Sequence, residues 1–249
     1  MREITETFWD SSLEELKQGY IEETHSFVCL LCGKQVEKGI IYPLNDVLYE
    51  AERFMRYHIE SEHGSVFDYL LSLNKKLTGL TDHQSNLLRL FYEGKNDKDI
   101  QKELEIGSAS TIRHHRFALK EKERQAKIFL TLMDLLKEKD KHAPAIVPPH
   151  KTANMLDVRY DITHEESEKV VKKCFKDGRL INFPRKEKQK LVVLRQITNQ
   201  IDPEQTYSEK ALNEILKSIY EDFVTIRRYL IEYGFLDRKP DGSAYWIKK

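Results

Sequence analysis

Two pairs of metal-binding side chains constrain this chain more than any other feature of its sequence. Cys29 and Cys32 are separated by two residues and followed by a glycine, and His58 and His63 are separated by four residues. The apolar periodicity of residues 47–55 predicts a helix that carries His58 and ends near His63. Two thiolates and two imidazoles are a donor set that tetrahedral zinc takes. The sequence therefore predicts zinc, in a structural role because four protein ligands leave no open coordination position.

The ligand pattern resembles that of two-Cys, two-His zinc fingers, and the resemblance is limited to that pattern. Between the two pairs lie 25 residues, where about 12–15 are usual. Residues 1–75 also carry 14 Asp and Glu against 7 Lys and Arg, which disfavours contact with phosphate. We therefore expect this acidic module to bind a protein partner or to act as a scaffold. The alternative is a pair of buried cysteines near two unrelated histidines. The third cysteine, Cys174, is expected to be a buried small apolar residue.

The whole chain of 249 residues is electrically balanced, with 41 Lys and Arg against 41 Asp and Glu. Its first residues are acidic and lack the apolar stretch of a secretory signal, and no apolar run approaches the roughly 20 residues of a membrane helix. Three cysteines cannot make a disulfide framework in a chain of this length. These features predict a soluble, cytoplasmic protein that does not associate with membranes.

Basic residues concentrate in two stretches behind the acidic front end. Residues 107–130 have a net charge of +4 and include the adjacent His114 and His115, and residues 169–199 carry 10 basic and 2 acidic residues. Local positive charge is what a polyanionic partner requires. The alternative is that both stretches are solvated helix faces without a partner.

Helical signals dominate, so the predicted fold class is mainly α. Capping boxes, in which a Ser or Thr side chain caps an amide three residues on, predict helix starts at Ser12, Thr81, Thr163 and Thr206. Three of the seven prolines fall in residues 142–150, which predicts an extended connection. We divide the chain into an acidic zinc-finger-like module (1–75), a helix-turn-helix bundle with an extended helix (76–140), a Pro-containing linker (141–160) and a winged-helix-like domain with a β-hairpin (161–249).

A helix-turn-helix is predicted over residues 80–120. A capped helix ends at Gly94, a short helix with apolar residues at i and i+4 follows, and a third, basic helix begins after a glycine-containing turn. This stretch resembles the LuxR-type helix-turn-helix and the fourth region of sigma factors, with one extra residue in the turn between Ile106 and Thr111. The residues that carry the resemblance are Leu80, Thr81, Gln84, Leu88, Gly94, Lys98, Asp99, Ile100, Leu104, Ile106, Thr111, Ile112 and His115.

The resemblance implies a recognition helix that enters the major groove of double-stranded DNA. It implies DNA contacts by Ser110, Thr111, Arg113, His114, Arg116 and Lys120. Arg113 and Arg116 would bind guanine edges or phosphates, whereas Ile112 and Phe117 are expected in the core. The alternative is a three-helix bundle without DNA contact.

The basic helix is predicted to continue to Lys137. Along it, Ala126, Phe129, Met133 and Leu136 recur at spacings of three and four residues, which gives an apolar stripe. Either the stripe packs against another part of the chain, or residues 126–136 form a homodimer contact.

Three helices and a hairpin are predicted in the last part of the chain. Apolar periodicity favours helices from Pro184 and from Thr206, and Asp222 is expected to cap a third helix. The dipeptide Asp241-Gly242 is a tight-turn signal between two β-prone runs, and it is the only convincing hairpin signal in the sequence. Three helices followed by a hairpin is the order of a winged helix.

In a winged helix the third helix and the hairpin would contact DNA. These elements carry Thr225, Arg227, Arg228, Arg238 and Lys239. The alternative for the adjacent arginines is ion pairing with the carboxylates of Glu187 or Asp222.

Residues 176–246 resemble a bacterial domain family of unknown function, found in proteins often labelled transcriptional regulators. The residues that carry this resemblance are Gly178, Arg179, Leu180, Phe183, Pro184, Lys186, Lys190, Leu194, Tyr207, Glu209, Asn213, Glu214, Ile215, Leu216, Asp222, Phe223, Thr225, Arg227, Arg228, Leu230, Tyr233, Gly234, Tyr245 and Trp246.

These features favour a DNA-binding transcriptional regulator. The main alternative is a non-catalytic adaptor whose acidic zinc module binds a protein partner. An RNA-directed factor is disfavoured because the basic stretches offer few aromatic side chains for stacking on bases. No nucleophile elbow, metalloprotease helix or phosphate-binding loop occurs, so we do not expect an enzyme.

Overall fold

Helices dominate the chain, as the sequence predicted, and short antiparallel sheets accompany them. The structure is a computed structural model and describes residues 4–248. The chain divides into two compact units, the first made of residues 1–78 and 145–249 and the second of residues 79–144. The predicted zinc module and the predicted winged-helix-like domain therefore lie in one unit. Within residues 4–248, no helix has the length and apolar character needed to cross a membrane.

The N-terminal part of the first unit combines five helices with five short strands. In chain order these are α1 (Ile4–Asp10), α2 (Leu13–Gln18), β1 (Tyr20–Glu22), β2 (Ser26–Cys29), β3 (Gln35–Glu37), β4 (Tyr42–Leu44), β5 (Val47–Tyr49), α3 (Ala51–His63), α4 (Val66–Ser72) and α5 (Lys75–Thr78). Strands β1, β2 and β3 form one antiparallel sheet, and β4 pairs with β5. Helix α3 packs on the sheet through Met55 and Ile59, which meet Leu31 and Val36 in a small core.

The second unit is a set of three helices, α6 (Asp82–Tyr92), α7 (Asp97–Glu103) and α8 (Ala109–Lys139). The predicted capping box at Thr81 is confirmed, and Asn96 and Ser108 cap the next two helices. Their shared core contains Leu87, Leu90, Ile100 and Ile112, each 5% exposed or less.

Helix α8 extends through residue 137, as predicted, but Phe117 is not in the core. Ile112 is fully buried, whereas Phe117 is 60% exposed, so the prediction for Phe117 was wrong. Five residues along an α-helix correspond to about 140° around its axis. The two side chains therefore face different sides of α8.

The C-terminal part of the first unit begins with a 3-10 helix (Val158–Tyr160). It continues with α9 (His164–Cys174), β6 (Phe175–Lys176), β7 (Arg179–Leu180), α10 (Glu187–Thr198), α11 (Glu209–Ile219), α12 (Phe223–Glu232), β8 (Leu236–Arg238) and β9 (Tyr245–Ile247). A single cluster of buried residues joins these elements, and Cys174 belongs to it, as predicted. The predicted caps at Thr163 and Asp222 are confirmed.

The helix start predicted at Thr206 is wrong by two residues. Ser208 caps α11, because the backbone just before it is engaged elsewhere. The Tyr207 amide donates to the Tyr245 carbonyl, and the Tyr245 amide donates to the Tyr207 carbonyl, each at 2.8 Å. These two hydrogen bonds hold Tyr207 in an extended β-bridge. A contact between distant parts of the chain thus overrides a local capping signal.

The structure has further hairpins that the sequence analysis did not predict. Besides the predicted hairpin of β8 and β9, strands β4 and β5 and strands β6 and β7 form hairpins of their own. Their turns contain Asn45-Asp46 and Asp177-Gly178, all with positive φ. Asn, Asp and Gly tolerate this conformation and favour two-residue hairpin turns, so the signal was present in the sequence.

Residues 145–154, here called the bridging segment, pack against both parts of the first unit. On one side, the Pro149 carbonyl accepts a hydrogen bond from Trp9 Nε1 at 2.8 Å. On the other, Thr152 Oγ1 donates to the Gly234 carbonyl at 2.7 Å, and the Pro148 carbonyl accepts from Arg195 at 2.5 Å. The prolines predicted an extended path, and the hydrogen bonds explain why this path is fixed in place.

Candidate metal centre and candidate nucleic-acid interface

The first pair of candidate metal ligands lies on a tight turn at the end of β2. The Gly33 amide donates to the Cys29 carbonyl at 2.8 Å, and Gly33 has a φ of +86°, which a glycine adopts without the strain of a Cβ. Backbone amides of the turn also point at the sulfur atoms. Those of Leu31 and Cys32 donate to Cys29, and that of Lys34 donates to Cys32. The turn therefore presents two sulfurs together with donors that stabilise thiolates.

The second pair lies on α3, with His58 buried and His63 half-buried at the last residue of the helix. Nε2 of His58 is 3.1 Å from Sγ of Cys32, and Nε2 of His63 is 3.8 Å from Sγ of Cys29. All four ligand atoms lie within 4.8 Å of one another. A tetrahedron with zinc–ligand bond lengths has sulfur–nitrogen edges of about 3.6 Å. The four residues predicted from the sequence are thus brought together and could hold a metal ion.

The protonation of the two cysteines suits metal binding. The Cys29 thiol donates a hydrogen bond to Sγ of Cys32, so the pKa of Cys32 lies far below that of a free thiol and the pKa of Cys29 far above it. Hydrogen bonds from His58 and His63 lower the pKa of Cys32 further. Because the thiolate is the form that binds a metal, the lowered pKa of one sulfur suits metal binding.

The two ring nitrogens of His58 have different surroundings. Its Nδ1 atom is buried and, within residues 4–248, has no hydrogen-bond partner. An imidazole buried this deeply needs partners for its ring nitrogens. The other ring nitrogen, Nε2, faces Sγ of Cys32 and is the one placed to bind a metal.

A buried lysine that the sequence did not indicate supports the cysteine turn. Lys151 is 5% exposed, and its Nζ donates to the carbonyl oxygens of Leu30 and Leu31 at 2.8 Å each, between the two cysteines. Burial lowers the pKa of Lys151 to about 8, against the opposing effect of the cysteine thiolates. No local pattern marks this residue, because only the path of the bridging segment brings it to the turn.

The candidate DNA-binding residues of the second unit lie along the first turns of α8. Ser108 caps the helix by accepting a hydrogen bond from the Thr111 amide, and the buried Ile112 anchors its inner side. The side chains predicted to face DNA are all exposed, namely Ser110, Thr111, Arg113, His114, Arg116 and Lys120. The structure therefore places these six residues on one accessible stretch of helix.

Two of these side chains already have partners within the unit. The Arg116 guanidinium is 2.9 Å from Oδ1 of Asp97 and lies 3.7 Å from the centre of the Phe91 ring. Lys120 pairs with Glu123 at 2.6 Å. Arg116 therefore ties α8 to α6 and α7, whereas no ion pair within residues 4–248 involves Arg113.

The corresponding residues of α12 are arranged differently. Arg227 is 17% exposed, forms an ion pair with Glu209 at 2.8 Å and also bonds to Asn213. The ion pair expected as an alternative for the arginines thus exists, but with Glu209 as the partner. Arg228 is exposed, Thr225 is half-buried, and the hairpin residues Arg238 and Lys239 are exposed.

Comparison with known families adds one finding for this part of the chain. Residues 179–247 match a family described as an uncharacterized protein conserved in bacteria, DUF2087. The match runs from β7 to β9 and includes the three helices between them. It confirms the resemblance of residues 176–246 to a bacterial family of unknown function.

The other comparisons find no match, neither among curated proteins nor among solved structures. The resemblance of residues 80–120 to LuxR-type proteins therefore stays a prediction. The family match covers the region of Arg227 and the hairpin, but it does not include the cysteines, the histidines or α8.

Proposed function

We propose that this chain is a sequence-specific DNA-binding regulator of transcription that inserts α8 into the major groove. The observation that carries the proposal is the run of exposed polar and basic side chains on the first turns of α8. Between them in sequence, the buried Ile112 holds the helix on the small core of the unit. An anchored helix with a free polar face behind a short preceding helix is the arrangement that a helix-turn-helix requires.

The electrostatics of the α8 N-terminus support an anionic partner. Its first turn contains no acidic residue. The unsatisfied amides at a helix N-terminus carry partial positive charge, which attracts phosphate. In this mechanism Ser110 and Thr111 bind backbone phosphates, whereas Arg113 and His114 contact base edges. Arg116 would position α8 through Asp97 and contact DNA only after that ion pair opens.

Zinc is the metal that we assign to the Cys29, Cys32, His58 and His63 site. Its softness suits thiolates, its geometry suits four ligands, and the donor set leaves no position for a substrate. Its role would be to join the cysteine turn to α3 and thereby stabilise the N-terminal part of the first unit. Metal content of the purified protein checks the assignment.

The domain matched by the bacterial family would supply a second nucleic-acid contact. The order α10, α11, α12, β8, β9 agrees with a winged helix, and the exposed Arg228, Arg238 and Lys239 would bind phosphate there. Arg227 is assigned a structural role because of its contacts with Glu209 and Asn213.

The last turns of α8 favour a homodimer as the DNA-binding form. Large apolar residues on this stretch are exposed, namely Ile128, Phe129, Leu132, Met133, Leu135 and Leu136 at 38–64%. They recur at spacings of three and four residues, so a second copy of the helix could cover them. A dimer would give two half-sites related by twofold symmetry. Sedimentation of the wild type and of Leu132→Glu tests this: the variant should be monomeric, and equal masses would remove the dimer.

Selection from pooled genomic DNA fragments tests the central proposal. The purified protein should enrich a few sequences, and the double variant Arg113→Ala/His114→Ala should enrich none. Arg124→Ala is the matched control, because Arg124 is exposed on the same helix beyond the contact region. Failure of the wild type to enrich any sequence at low salt would remove the regulator proposal.

A second candidate, the protein adaptor, is favoured by one observation in the acidic module. Four apolar side chains around the β4–β5 hairpin are 42–71% exposed: Ile40, Ile41, Val47 and Leu48. Exposed apolar side chains grouped on one hairpin are a feature of protein contacts. The adaptor gains support if the protein binds no DNA and Leu48→Asp abolishes binding to a purified partner.

A further inference from the structure

The first unit contains a cavity that the proposed function does not use. It has a volume of about 460 Å³ and lies among the cysteine turn, the bridging segment and the C-terminal helices. Leu31, Ile201, Phe235 and Ile247 supply apolar walls. Cavities of about 300–1,000 Å³ with mainly apolar walls and a few polar groups are typical of small-molecule sites. The size and lining therefore suit a small organic ligand.

Apart from the candidate metal ligand Cys32, the charged residues of this cavity are basic. Lys151, Arg195 and Lys248 line it, and none of its described lining residues is Asp or Glu. Because they carry the same charge, these three groups create a positive potential inside a partly apolar space. The cavity therefore disfavours metal cations and amines and favours an anion.

Lys151 is the most deeply buried of the three basic groups, and its Nζ lies 5.2 Å and 5.5 Å from the ring centres of Phe8 and Tyr69. It is 5% exposed, and both of its described hydrogen bonds go to neutral carbonyl oxygens. Once a divalent metal joins two thiolates and two neutral imidazoles, the cluster beside it has no net charge. The charge of a buried cation is costly unless an opposite charge lies close by. A bound anion would provide that charge.

His150 gives an independent indication that two of the positive charges, those of Arg195 and Lys248, lie close together. Its ring lies 3.9 Å from that of Phe235, nearly parallel to it, and its Nε2 meets the hydroxyl of Tyr160 at 3.1 Å. Burial, and then the positive charges of Arg195 and Lys248, lower the pKa of His150 to about 3. The imidazole is therefore neutral at physiological pH, and it adds a flat wall rather than a fourth charge.

We propose that this cavity binds a small monocarboxylate with an apolar body, with the carboxylate toward Lys151, Arg195 and Lys248 and the body against Leu31 and Ile247. The inference does not depend on DNA binding. It rests on the walls and charges of the first unit alone. A ligand bound in the cavity would act by stabilising that unit.

Calorimetric titration of the full-length, metal-loaded protein with octanoate tests the proposal, with octanamide as the uncharged probe of the same length. Octanoate should bind with one site per chain, and octanamide should bind at least roughly ten-fold more weakly, because it lacks the charge. Absence of octanoate binding at millimolar concentration, or equal affinities of the two probes, would overturn the proposal.

Two variants locate the binding site. Lys248→Gln should weaken octanoate binding by roughly five-fold or more, since one of three charges is removed. The matched control Lys217→Gln changes an exposed lysine of α11 and should bind as the wild type does. Thr198→Trp places a large ring at the half-buried rim of the cavity and should abolish binding. Unchanged binding by a folded Thr198→Trp protein would place the ligand elsewhere and contradict the inference.

Discussion

The two compact units differ in how completely each buries its apolar side chains. In the C-terminal part of the first unit, twenty buried residues form one cluster. In the second unit the corresponding cluster has four, and a row of large apolar residues on α8 is exposed. The first unit also contains the candidate metal centre and the bridging segment. The first unit therefore has the features of a stable scaffold, whereas the second has an exposed apolar surface of the kind that contacts a partner.

In our proposal, the first unit provides stability and the second provides recognition. Substitutions in the first unit should mainly change the free energy of unfolding, and substitutions on α8 should mainly change binding. The two tryptophans, Trp9 and Trp246, both lie in the first unit. Tryptophan fluorescence thus reports on that unit alone, whereas circular dichroism at the helix band also reports on α6, α7 and α8.

The largest expected effect is the loss of the metal centre. Cys32→Ala should lower the free energy of unfolding of the first unit by several kcal/mol, because structural metal sites contribute about 10 kcal/mol or more in small zinc modules. Urea unfolding followed by tryptophan fluorescence measures it. Cys174→Ala, a buried cysteine outside the site, is the control and should cost about 1 kcal/mol. Equal losses in the two variants would mean that no metal stabilises the unit.

The next effect concerns the contact of the bridging segment with α12. Gly234 has a φ of +83°, and a Cβ there would lie 2.3 Å from the Thr152 carbonyl oxygen. Gly234→Ala should therefore destabilise the first unit by about 2–4 kcal/mol. At Gly242 a Cβ would lie 3.5 Å from its nearest neighbour, the Tyr245 hydroxyl. Gly242→Ala should therefore cost only the backbone strain, about 1 kcal/mol. Fluorescence-monitored unfolding that ranks the two variants equally would contradict the fixed path of the bridging segment.

A smaller effect distinguishes the arginines of α12. Arg227→Ala should destabilise the first unit by about 1–2 kcal/mol, because it leaves the partly buried Asn213 without its partner. Arg228→Ala changes an exposed side chain and should cost at most about 0.5 kcal/mol. The same fluorescence measurement applies. A larger loss for Arg228→Ala would reverse the assignment of the two roles.

The smallest effect is a pH dependence of the second unit. His115 lies beside His83, with the Nε2 atoms 3.3 Å apart, and burial together with the charges of His83 and His114 lowers the pKa of His115 below its usual 6.5. Below that pH the unfolded chain binds the proton more readily than the folded unit does. Stability is therefore greatest above pH 6.5 and falls as the pH is lowered.

Circular dichroism melting measures this pH dependence. His115→Gln should reduce the dependence of the melting temperature on pH between about 7 and 5. His142→Gln, which changes an exposed histidine beyond the end of α8, is the control. An identical pH profile for His115→Gln and the wild type would remove the histidine pair as its cause.

Local signals predicted much of this structure, and contacts between distant residues account for most of the rest. The spacing of Cys29, Cys32, His58 and His63 correctly predicted that these four side chains come together, because each pair belongs to one turn or one helix end. The capping boxes at Ser12, Thr81 and Thr163 were confirmed for the same reason. The prolines of residues 142–150 predicted an extended path. They did not predict the hydrogen bonds that this segment forms with both parts of the first unit.

The wrong and the missing predictions have identifiable causes, and two of them are contacts between residues that are distant in sequence. The helix start at Thr206 failed because Tyr207 pairs with Tyr245 across the fold. Lys151 was missed because its environment comes from a turn far away in sequence. The hairpin at Asp177-Gly178 was overlooked although its turn signal is local, so this miss was avoidable.

The most direct test of the account compares the two basic helices in one binding measurement. Fluorescence anisotropy of an enriched duplex is recorded across a salt series for the wild type, Arg113→Ala/His114→Ala and Arg227→Ala. We expect a more than roughly ten-fold loss of affinity and a smaller salt slope for the α8 variant, because two base contacts and the positive charge of Arg113 are removed. Arg227→Ala should bind as the wild type does. Unchanged affinity of the α8 variant, or a loss confined to Arg227→Ala, would contradict the assignment of recognition to the second unit.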